Sequence, residues 1–280
     1  MKKILVILLS LFIFTSGICV AKAATTKAKP PYRTKVVETT LPDKFVIKSR
    51  LLLPKAKDQK YPLVIFLHSL GYSSSHWGTV PQTFAEQGYA VLLIDLRGHG
   101  KSNKYLQFKQ YSWRYFSPKS FAKYPSDVKT VLEHVKKSNK RIDFSKYSII
   151  GGDIGANTGV LVASTNTVKP KSMVLLTPSI TIKGLEIASL YKKSAISSIG
   201  STPILAICSQ KDANAIHQEN LLKKFASGKF ETKNVEQNTN GMLLLKYNED
   251  AQKEVIKFIN QNMPAPKPAS NTSTTTPTKK

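Results

Sequence analysis

A short apolar run that ends in a glycine-rich turn is the feature that most limits how this chain can fold. Residues 147–159 read YSIIGGDIGANTG. The first part is typical of a buried strand, and the segment from Ile154 to Ser164 suits a helix, so a strand, a sharp turn and a helix are predicted in succession. Glycine relieves steric limits on the backbone, and the pattern Gly-Gly-Asp-Ile-Gly therefore allows a tight turn with Asp153 at its centre.

Short apolar runs alternate with helix-compatible segments through most of the chain. An antiparallel pair is predicted at 36–37 and 45–53, and buried strands are predicted at 63–68, 90–95, 147–152, 173–176, 203–208 and 230–235. Helices are predicted at 80–87, 125–137, 154–164, 216–225 and 249–259, with a further helical segment before 203. This alternation favours a mostly parallel sheet covered by helices on both faces, whose ligands bind at the carboxyl ends of the strands.

The two ends of the chain differ in composition from the middle. Lys2 and Lys3 precede an apolar run at 4–18, and the small-x-small sequence at 21–23 is typical of a processing site. Residues 1–23 are therefore predicted to be a signal peptide, which places the protein in a periplasm, at the envelope or outside the cell, and a retained N-terminal anchor is the alternative. A basic linker at 24–33, a folded domain at 34–262 and a disordered Pro/Ser/Thr/Lys tail at 263–280 follow.

The strong positive charge does not indicate a specific nucleic-acid reader. The chain has 42 lysines and arginines and a formal net charge of +25, but few of these residues are arginine and the lysines are scattered. Specific readers of bases and phosphates favour arginine forks. We therefore expect at most weak attraction to anionic envelope polymers. The other expected partner is a small-molecule ligand of unknown identity, and the protein is expected to be a monomer.

Three motifs together resemble the α/β-hydrolase superfamily. They are PLVIFLHSLGYSSSHW at 62–77, YAVLLIDLRGHGKSN at 89–103 and the turn at Asp153, in that order and at family-like spacing. The resemblance covers nearly all of 34–262 and is greatest to compact dienelactone-hydrolase-like and acyl-esterase-like members. It implies an α/β fold with a roughly eight-stranded, mostly parallel sheet and a minimal cap.

The resemblance also implies a nucleophile, an acid and a histidine in that chain order. Asp153 stands at the nucleophile position, where serine is usual, and Asp212 matches the acid. Asn240 precedes Gly241 where a His-Gly pair is expected, and no histidine follows His217. The triad positions are therefore Asp153, Asp212 and Asn240, without a base.

Aspartate at the turn leaves two interpretations open. A carboxylate is ionised at neutral pH and attacks without a base. Haloalkane dehalogenases and epoxide hydrolases of the same superfamily use aspartate here, and their histidine then activates water to release the ester. Asn240 cannot titrate, so Asp153 is expected at best to start this chemistry and to stall at the ester.

The resemblance places the oxyanion hole at the backbone N–H groups of Leu70 and Ile154, with Ser69 where relatives commonly have glycine. Among the other histidines, His99 is the leading outside candidate for a base. An aromatic run at 105–116 is predicted near the mouth of the cleft, where it would cover a ligand or simply pack on the domain. The cleft-lining candidates are His68, Ser69, His99, Tyr111 and Trp113.

These features predict an exported hydrolase relative with a degenerate triad that lacks efficient ester hydrolysis and retains a ligand pocket. An active hydrolase, acting on esters or through Asp153 on alkyl halides or epoxides, is one alternative. A cell-envelope binding module is the other. No metal or cofactor is expected, and Cys208, alone after removal of the signal peptide, is predicted to be an inert buried thiol.

Overall fold

A computed structural model describes residues 29–56, 59–105 and 111–266. The predicted signal peptide at 1–23, part of the linker, part of the aromatic run and residues 267–280 of the predicted tail lie outside the described residues. Within the described ranges, no helix combines the length and apolar character needed to cross a lipid bilayer.

Nine strands of the described chain form one sheet, and two more form a small hairpin. The strands are β1 (Tyr32–Thr40), β2 (Phe45–Pro54), β3 (Tyr61–Leu67), β4 (Ala90–Ile94), β5 (Lys104–Tyr105), β6 (Ile142–Gly152), β7 (Ser172–Leu176), β8 (Thr181–Ile182), β9 (Leu185–Glu186), β10 (Ile204–Ser209) and β11 (Phe230–Val235). The sheet order is β1-β2-β4-β3-β6-β7-β10-β11, and β5 pairs with β2.

The six strands from β4 to β11 in this order run parallel to one another. Strand β2 is antiparallel to both of its neighbours, β4 and β1. The carboxyl ends of the parallel strands therefore share one edge of the sheet, where ligands of open α/β sheets bind. The predicted fold class, a mostly parallel sheet of about eight strands, is confirmed.

Helices cover both faces of the sheet. They are α1 (Val80–Glu86), α2 (Pro118–Phe121), α3 (Tyr124–Ser138), α4 (Ile154–Thr165), α5 (Ala195–Ser198), α6 (Ala213–Phe225), α7 (Leu243–Tyr247) and α8 (Glu249–Asn262). Apolar residues of α3 and α4 belong to one hydrophobic cluster, and those of α1 and α8 belong to another. Because the strands are buried on both faces, their sequences are nearly continuous apolar runs.

The connection between β7 and β10 differs from the helical segment predicted there. It contains the hairpin β8–β9 and the single-turn helix α5. Lys183 and Gly184 at the hairpin turn both have positive φ, 50° and 83°. A left-handed pair of this kind closes a two-residue hairpin, so the turn conformation ends any helix at this point.

A buried arginine ties the strand-edge loops to α3. Arg97, in the RGHGKS segment, is 3% exposed, and its Nε and Nη2 donate to the Asp127 carboxylate at 2.7 and 2.8 Å. Its guanidinium also donates to Asp43 and lies 4.4 Å from the centre of the Phe45 ring. Burial raises the pKa of Asp127, and the hydrogen bonds from Arg97 oppose this rise.

Asp43 responds differently because it is less buried. Burial alone would raise its pKa, but hydrogen bonds from Arg97 and Lys123 outweigh that effect and lower the pKa to about 2. Arg97 is therefore the shared cation of two carboxylates, and the loop that contains it depends on this network.

We expect Arg97→Met to reduce the free energy of unfolding by about 3–5 kcal/mol, because it leaves the buried Asp127 without its cation. Urea unfolding followed by circular dichroism measures the loss. Arg114→Met, at an exposed guanidinium near Trp113, is the matched control and should change stability by less than about 0.5 kcal/mol. Equal effects of the two substitutions would contradict a structural role for the network.

Candidate active site

Asp153 lies at the sharp turn between β6 and α4. Its backbone has φ 51° and ψ −118°, a strained conformation for a residue with a side chain. A Cβ at Gly155 would lie 2.1 Å from the carbonyl oxygen of Leu67, and one at Gly151 would lie 2.6 Å from the nitrogen of Ala156. Both glycines of the pattern are therefore needed for α4 to start directly against β3 and β6.

The Asp153 carboxylate lies at the backbone groups predicted to form the oxyanion hole. Its Oδ2 accepts a hydrogen bond from the N–H of Leu70 at 3.1 Å. Burial raises the pKa of the carboxyl, and the N–H groups of Leu70 and Ile154 and the charge of Lys183 partly offset that rise. The two predicted donors thus act on the protein's own carboxylate.

The loop after β11 packs directly against this turn. A Cβ at Gly241 would lie 3.3 Å from the Cβ of Asp153, and the Gly241 N–H donates to Thr177 Oγ1 at 2.9 Å. Ser69 Oγ accepts from the Met242 N–H at 2.9 Å. The structure therefore brings the Asn240–Gly241 loop beside Asp153, while Asn240 itself is solvent-exposed.

Asp212, the predicted acid, follows β10 and caps α6. Its Oδ1 accepts from the N–H of Ala215 at 2.9 Å. A carboxylate at a helix N-terminus is stabilised by the unpaired N–H groups of the first turn. Asp212 thus lies at the carboxyl edge of the sheet and has a structural partner in this chain.

His68 and His99 use both ring nitrogens for backbone contacts. In His68, Nδ1 lies 2.8 Å from the Ser69 carbonyl and Nε2 accepts from the Leu96 N–H at 2.9 Å. In His99, Nδ1 lies 3.1 Å from the Arg97 carbonyl and Nε2 accepts from the Gly71 N–H at 3.1 Å. Only a neutral ring with its proton on Nδ1 satisfies each pair.

Burial reinforces the neutral state of both rings. It lowers the pKa of His68 to about 4 and that of His99 to about 3. Their ring centres are 5.0 Å apart, so a charge on one ring would repel a charge on the other. Both side chains hold the loops that follow β3 and β4, and neither ring has a free nitrogen with which to accept a proton from a ligand.

Trp113 covers the loop after β3. Its ring stacks on His99 with a centre distance of 5.3 Å, and a Cβ at Gly71 would lie 3.3 Å from it. Tyr111 packs against Phe116, 5.1 Å away, and both predicted aromatics are only partly buried. Trp113 therefore borders the turn that supplies the Leu70 N–H, whereas Tyr111 belongs to the adjacent aromatic cluster.

Sequence reasoning missed two contributors to the site. Thr177, with φ 52°, is the first residue after β7 and holds the Gly241 N–H. Lys183 lies in the hairpin turn and lowers the pKa of Asp153 through its charge. The position of Thr177 directly after a buried strand was a usable signal, because such residues lie at the ligand-binding edge.

Cys208, the cysteine in the described part of the chain, does not offer a second nucleophile. Cys208 is fully buried, and burial and the neighbouring Glu219 raise its pKa. A thiol of this kind stays protonated and is a poor nucleophile. In the described part of the chain, no three His, Cys, Asp or Glu side chains cluster closely enough to hold a metal ion.

The sheet order, the strained turn and the loops that converge on it define an α/β-hydrolase. A family model described as serine aminopeptidase, S33, matches residues 58–250. The chain belongs to this family. A search of curated proteins found no match.

Solved structures with the same fold include several hydrolases. A dienelactone hydrolase from Anabaena variabilis is 15% identical, with a TM-score of 0.59, over 83% of this chain and 97% of that one. Naproxen esterase from Bacillus subtilis is 13% identical, with a TM-score of 0.56, over 82% and 93%. DcsB, determined with a substrate analogue, is 14% identical, with a TM-score of 0.62, over 82% and 99%. At these identities the similarity establishes the fold.

We expect Asp153→Asn to stabilise the protein at neutral pH. The folded-state pKa of Asp153 is raised above 3.8, which means that folding favours the protonated carboxyl. The stability that this group contributes is therefore fully present below pH 3.8 and is lost as the pH rises through the folded-state pKa. The amide removes this loss, and Tm should rise by roughly a few degrees at pH 7.

Thermal unfolding between about pH 4 and pH 8 checks the sign, since the advantage of Asp153→Asn should grow with pH. Asp250→Asn, at an exposed carboxylate of α8, is the control and should show no such trend. A lower Tm for Asp153→Asn at pH 7 would mean that the charge itself holds the loops together.

Proposed function

We propose that this protein is an exported member of the α/β hydrolases that lacks efficient ester hydrolysis and binds a small ligand at the carboxyl edge of its sheet. One observation carries the proposal. The Asp153 carboxylate already accepts the Leu70 N–H at 3.1 Å. Donors of an oxyanion hole accelerate acyl transfer by stabilising charge that develops in the transition state. A carboxyl group of the protein at the same donors occupies the position in which a substrate oxyanion would be stabilised.

The missing base supports the same conclusion. Serine or water attacks a carbonyl only when a neighbouring group accepts its proton. Asn240 has no titratable proton acceptor, and both nearby histidines hold backbone groups with both nitrogens. A proton released during ester hydrolysis therefore has no acceptor among these residues.

Export is the part of the proposal that rests on sequence alone. Lys2 and Lys3, the apolar run at 4–18 and the processing site at 21–23 support it. The scattered lysines would add weak attraction to anionic envelope polymers, so an envelope-binding role is compatible with a retained ligand pocket.

A second candidate function is favoured by the strained turn, which presents Asp153 as it would present a nucleophile. Attack on an alkyl halide would form a bond from a carboxylate oxygen to carbon, and the halide would leave with the bonding electrons. Release of the resulting ester needs an activated water, and none of Asn240, His68 and His99 has a free proton acceptor to serve as its base. This activity would therefore stop after one turnover.

An activity screen separates these functions. We expect the purified protein to turn over p-nitrophenyl esters and haloalkanes no faster than buffer, because the anion site is filled and the base is missing. Product release is followed by absorbance, and intact-mass spectrometry detects a stalled alkyl ester.

Asp153→Asn and the control Asp250→Asn are assayed in parallel. If Asp153→Asn abolishes turnover and Asp250→Asn leaves it intact, the proposal that this protein lacks efficient hydrolysis is overturned. A single alkyl adduct that forms on the unmodified protein and on Asp250→Asn, but not on Asp153→Asn, would establish the one-turnover reaction.

Restoring the family residues tests whether activity was simply lost. In Asp153→Ser with Asn240→His, the serine frees the Leu70 and Ile154 N–H groups, and the imidazole lies on the loop beside residue 153, with Asp212 to orient it. We expect p-nitrophenyl acetate hydrolysis to rise by on the order of 10²-fold in the double variant, with little gain in either single variant.

Ser69 sets the next step of this test. Its Oγ lies where a Cβ at Gly241 would be 2.2 Å away, so the side chain fills space beside the loop that would hold the new histidine. Ser69→Gly is added if the double variant is folded but inactive. Inactivity of the folded triple variant would contradict simple loss on an intact scaffold, and strong destabilisation by Asp153→Ser alone would show that the carboxylate has a structural role.

A further inference from the structure

The connection between β7 and β10 exposes two adjacent large apolar side chains. Leu190 is 82% exposed and Tyr191 is 96% exposed, the highest values among the large apolar residues described. Isolated exposed apolar residues are common, but an adjacent pair that continues into an apolar groove indicates an interaction surface.

An apolar groove lies on one side of this pair. It is a cavity of about 490 Å³, and Leu190 and Tyr191 line it together with Ile180, Leu221 and Phe225. The groove therefore runs from the hairpin β8–β9 to the last turns of α6. Its apolar lining suits hydrocarbon rather than a polar ligand.

A second cavity of about 340 Å³ also borders this segment. Its lining includes Ser164, Ser198, Lys192 and Lys193, and it shares Glu186 with the apolar groove. Ammonium and hydroxyl groups are donors that suit phosphate oxygens. The segment 189–193 therefore supplies apolar side chains to one cavity and lysines to the other.

The charges around this segment are mainly positive. Lys192 forms an ion pair with Glu186 at 2.7 Å, whereas Lys193 and Lys224 are exposed and also border the two cavities. The two cavities are thus lined by three lysines and one glutamate. A contact between two copies of this surface would place these lysines opposite one another, so charge disfavours a dimer here.

The hairpin that leads into this segment is hydrogen-bonded to α4 and α6. Asn157, in the first turn of α4, donates from Nδ2 to the carbonyls of Ser179 and Leu185 at 2.8 Å each. The N–H of Ile180 donates a hydrogen bond to Gln218 Oε1 of α6 at 3.0 Å. These bonds fix the base of the hairpin beside the turn that holds Asp153.

We propose that segment 189–193 docks this protein on the surface of an anionic lipid bilayer. Leu190 and Tyr191 enter the headgroup region, where an aromatic ring with a polar tip is favoured, and Lys192, Lys193 and Lys224 face lipid phosphates. The interaction is independent of whether the protein hydrolyses esters.

Vesicle binding tests the proposal. All described strands and helices and both hydrophobic clusters lie within residues 32–263, so a chain that starts at Ala24 keeps this folded unit and lacks the apolar run at 4–18. Co-sedimentation compares vesicles of phosphatidylcholine with vesicles that also contain phosphatidylglycerol. We expect binding to the anionic vesicles only, weakened by added salt.

Two double variants separate the apolar and charged contributions. Leu190→Ser with Tyr191→Ser should reduce partitioning on the order of tenfold or more. Lys192→Gln with Lys193→Gln should reduce it by about fivefold per lysine. Circular dichroism confirms that each variant is folded.

Matched controls lie on other surfaces. Tyr247→Ser removes a tyrosine that is 56% exposed, and Lys136→Gln with Lys137→Gln removes two exposed lysines of α3. Both should bind like the unmodified chain. Equal losses in the controls, or unchanged binding of Leu190→Ser with Tyr191→Ser, would overturn the proposal in favour of diffuse charge.

Analytical ultracentrifugation tests the competing occupant. A dimer that Leu190→Ser with Tyr191→Ser dissociates would show that a second copy covers this surface, and it would also overturn the proposal. Because the readouts are partitioning and mass rather than turnover, their outcome is independent of the ester-hydrolysis screen.

Discussion

The close approach of α4 to the ends of β3 and β6 is the constraint on which the candidate site depends. At Gly155 the helix lies so near the Leu67 carbonyl that a Cβ would be only 2.1 Å away. This contact lets the helix start immediately after β6 and places Asp153 in a strained conformation with positive φ above the sheet. The loops after β3 and β11 then converge on residue 153, and the positions of Leu70 and Gly241 follow from that geometry.

The same geometry explains why the residue type at position 153 matters for the proposed function. A serine here would leave the Leu70 N–H free for a substrate oxyanion, whereas the longer aspartate side chain reaches it directly. The carboxylate is partly desolvated and its pKa is raised, so the site contains a charge that its surroundings only partly stabilise. Hydrogen bonds that would otherwise act in a transition state are used in the ground state, and this is the physical basis for proposing a ligand-binding rather than a hydrolytic role.

Much of the fold and part of the site were predictable. The alternation of apolar runs with helical segments predicted the parallel sheet, and the glycines around Asp153 predicted its turn, because both signals are local. The loop containing Asn240 was placed from the family resemblance, and the structure brings it beside Asp153. The hairpin β8–β9 was missed because its turn depends on positive φ at Lys183, a lysine, which sequence propensity does not favour. The role of Asp212 as a helix cap and the stack of His99 on Trp113 were also missed, since both depend on partners that only folding selects.

The sequence by itself determined the fold class and the absence of a histidine after His217, because both are properties of residue order. Only the tertiary structure decided which N–H groups donate to Asp153 and which backbone groups bind the ring nitrogens of His68 and His99. It also decided where Leu190 and Tyr191 lie relative to the lysines. Each of these depends on distances of a few ångströms between residues far apart in the chain. Hydrogen bonds and burial act over that range, so their outcome is fixed by how the loops pack rather than by local sequence.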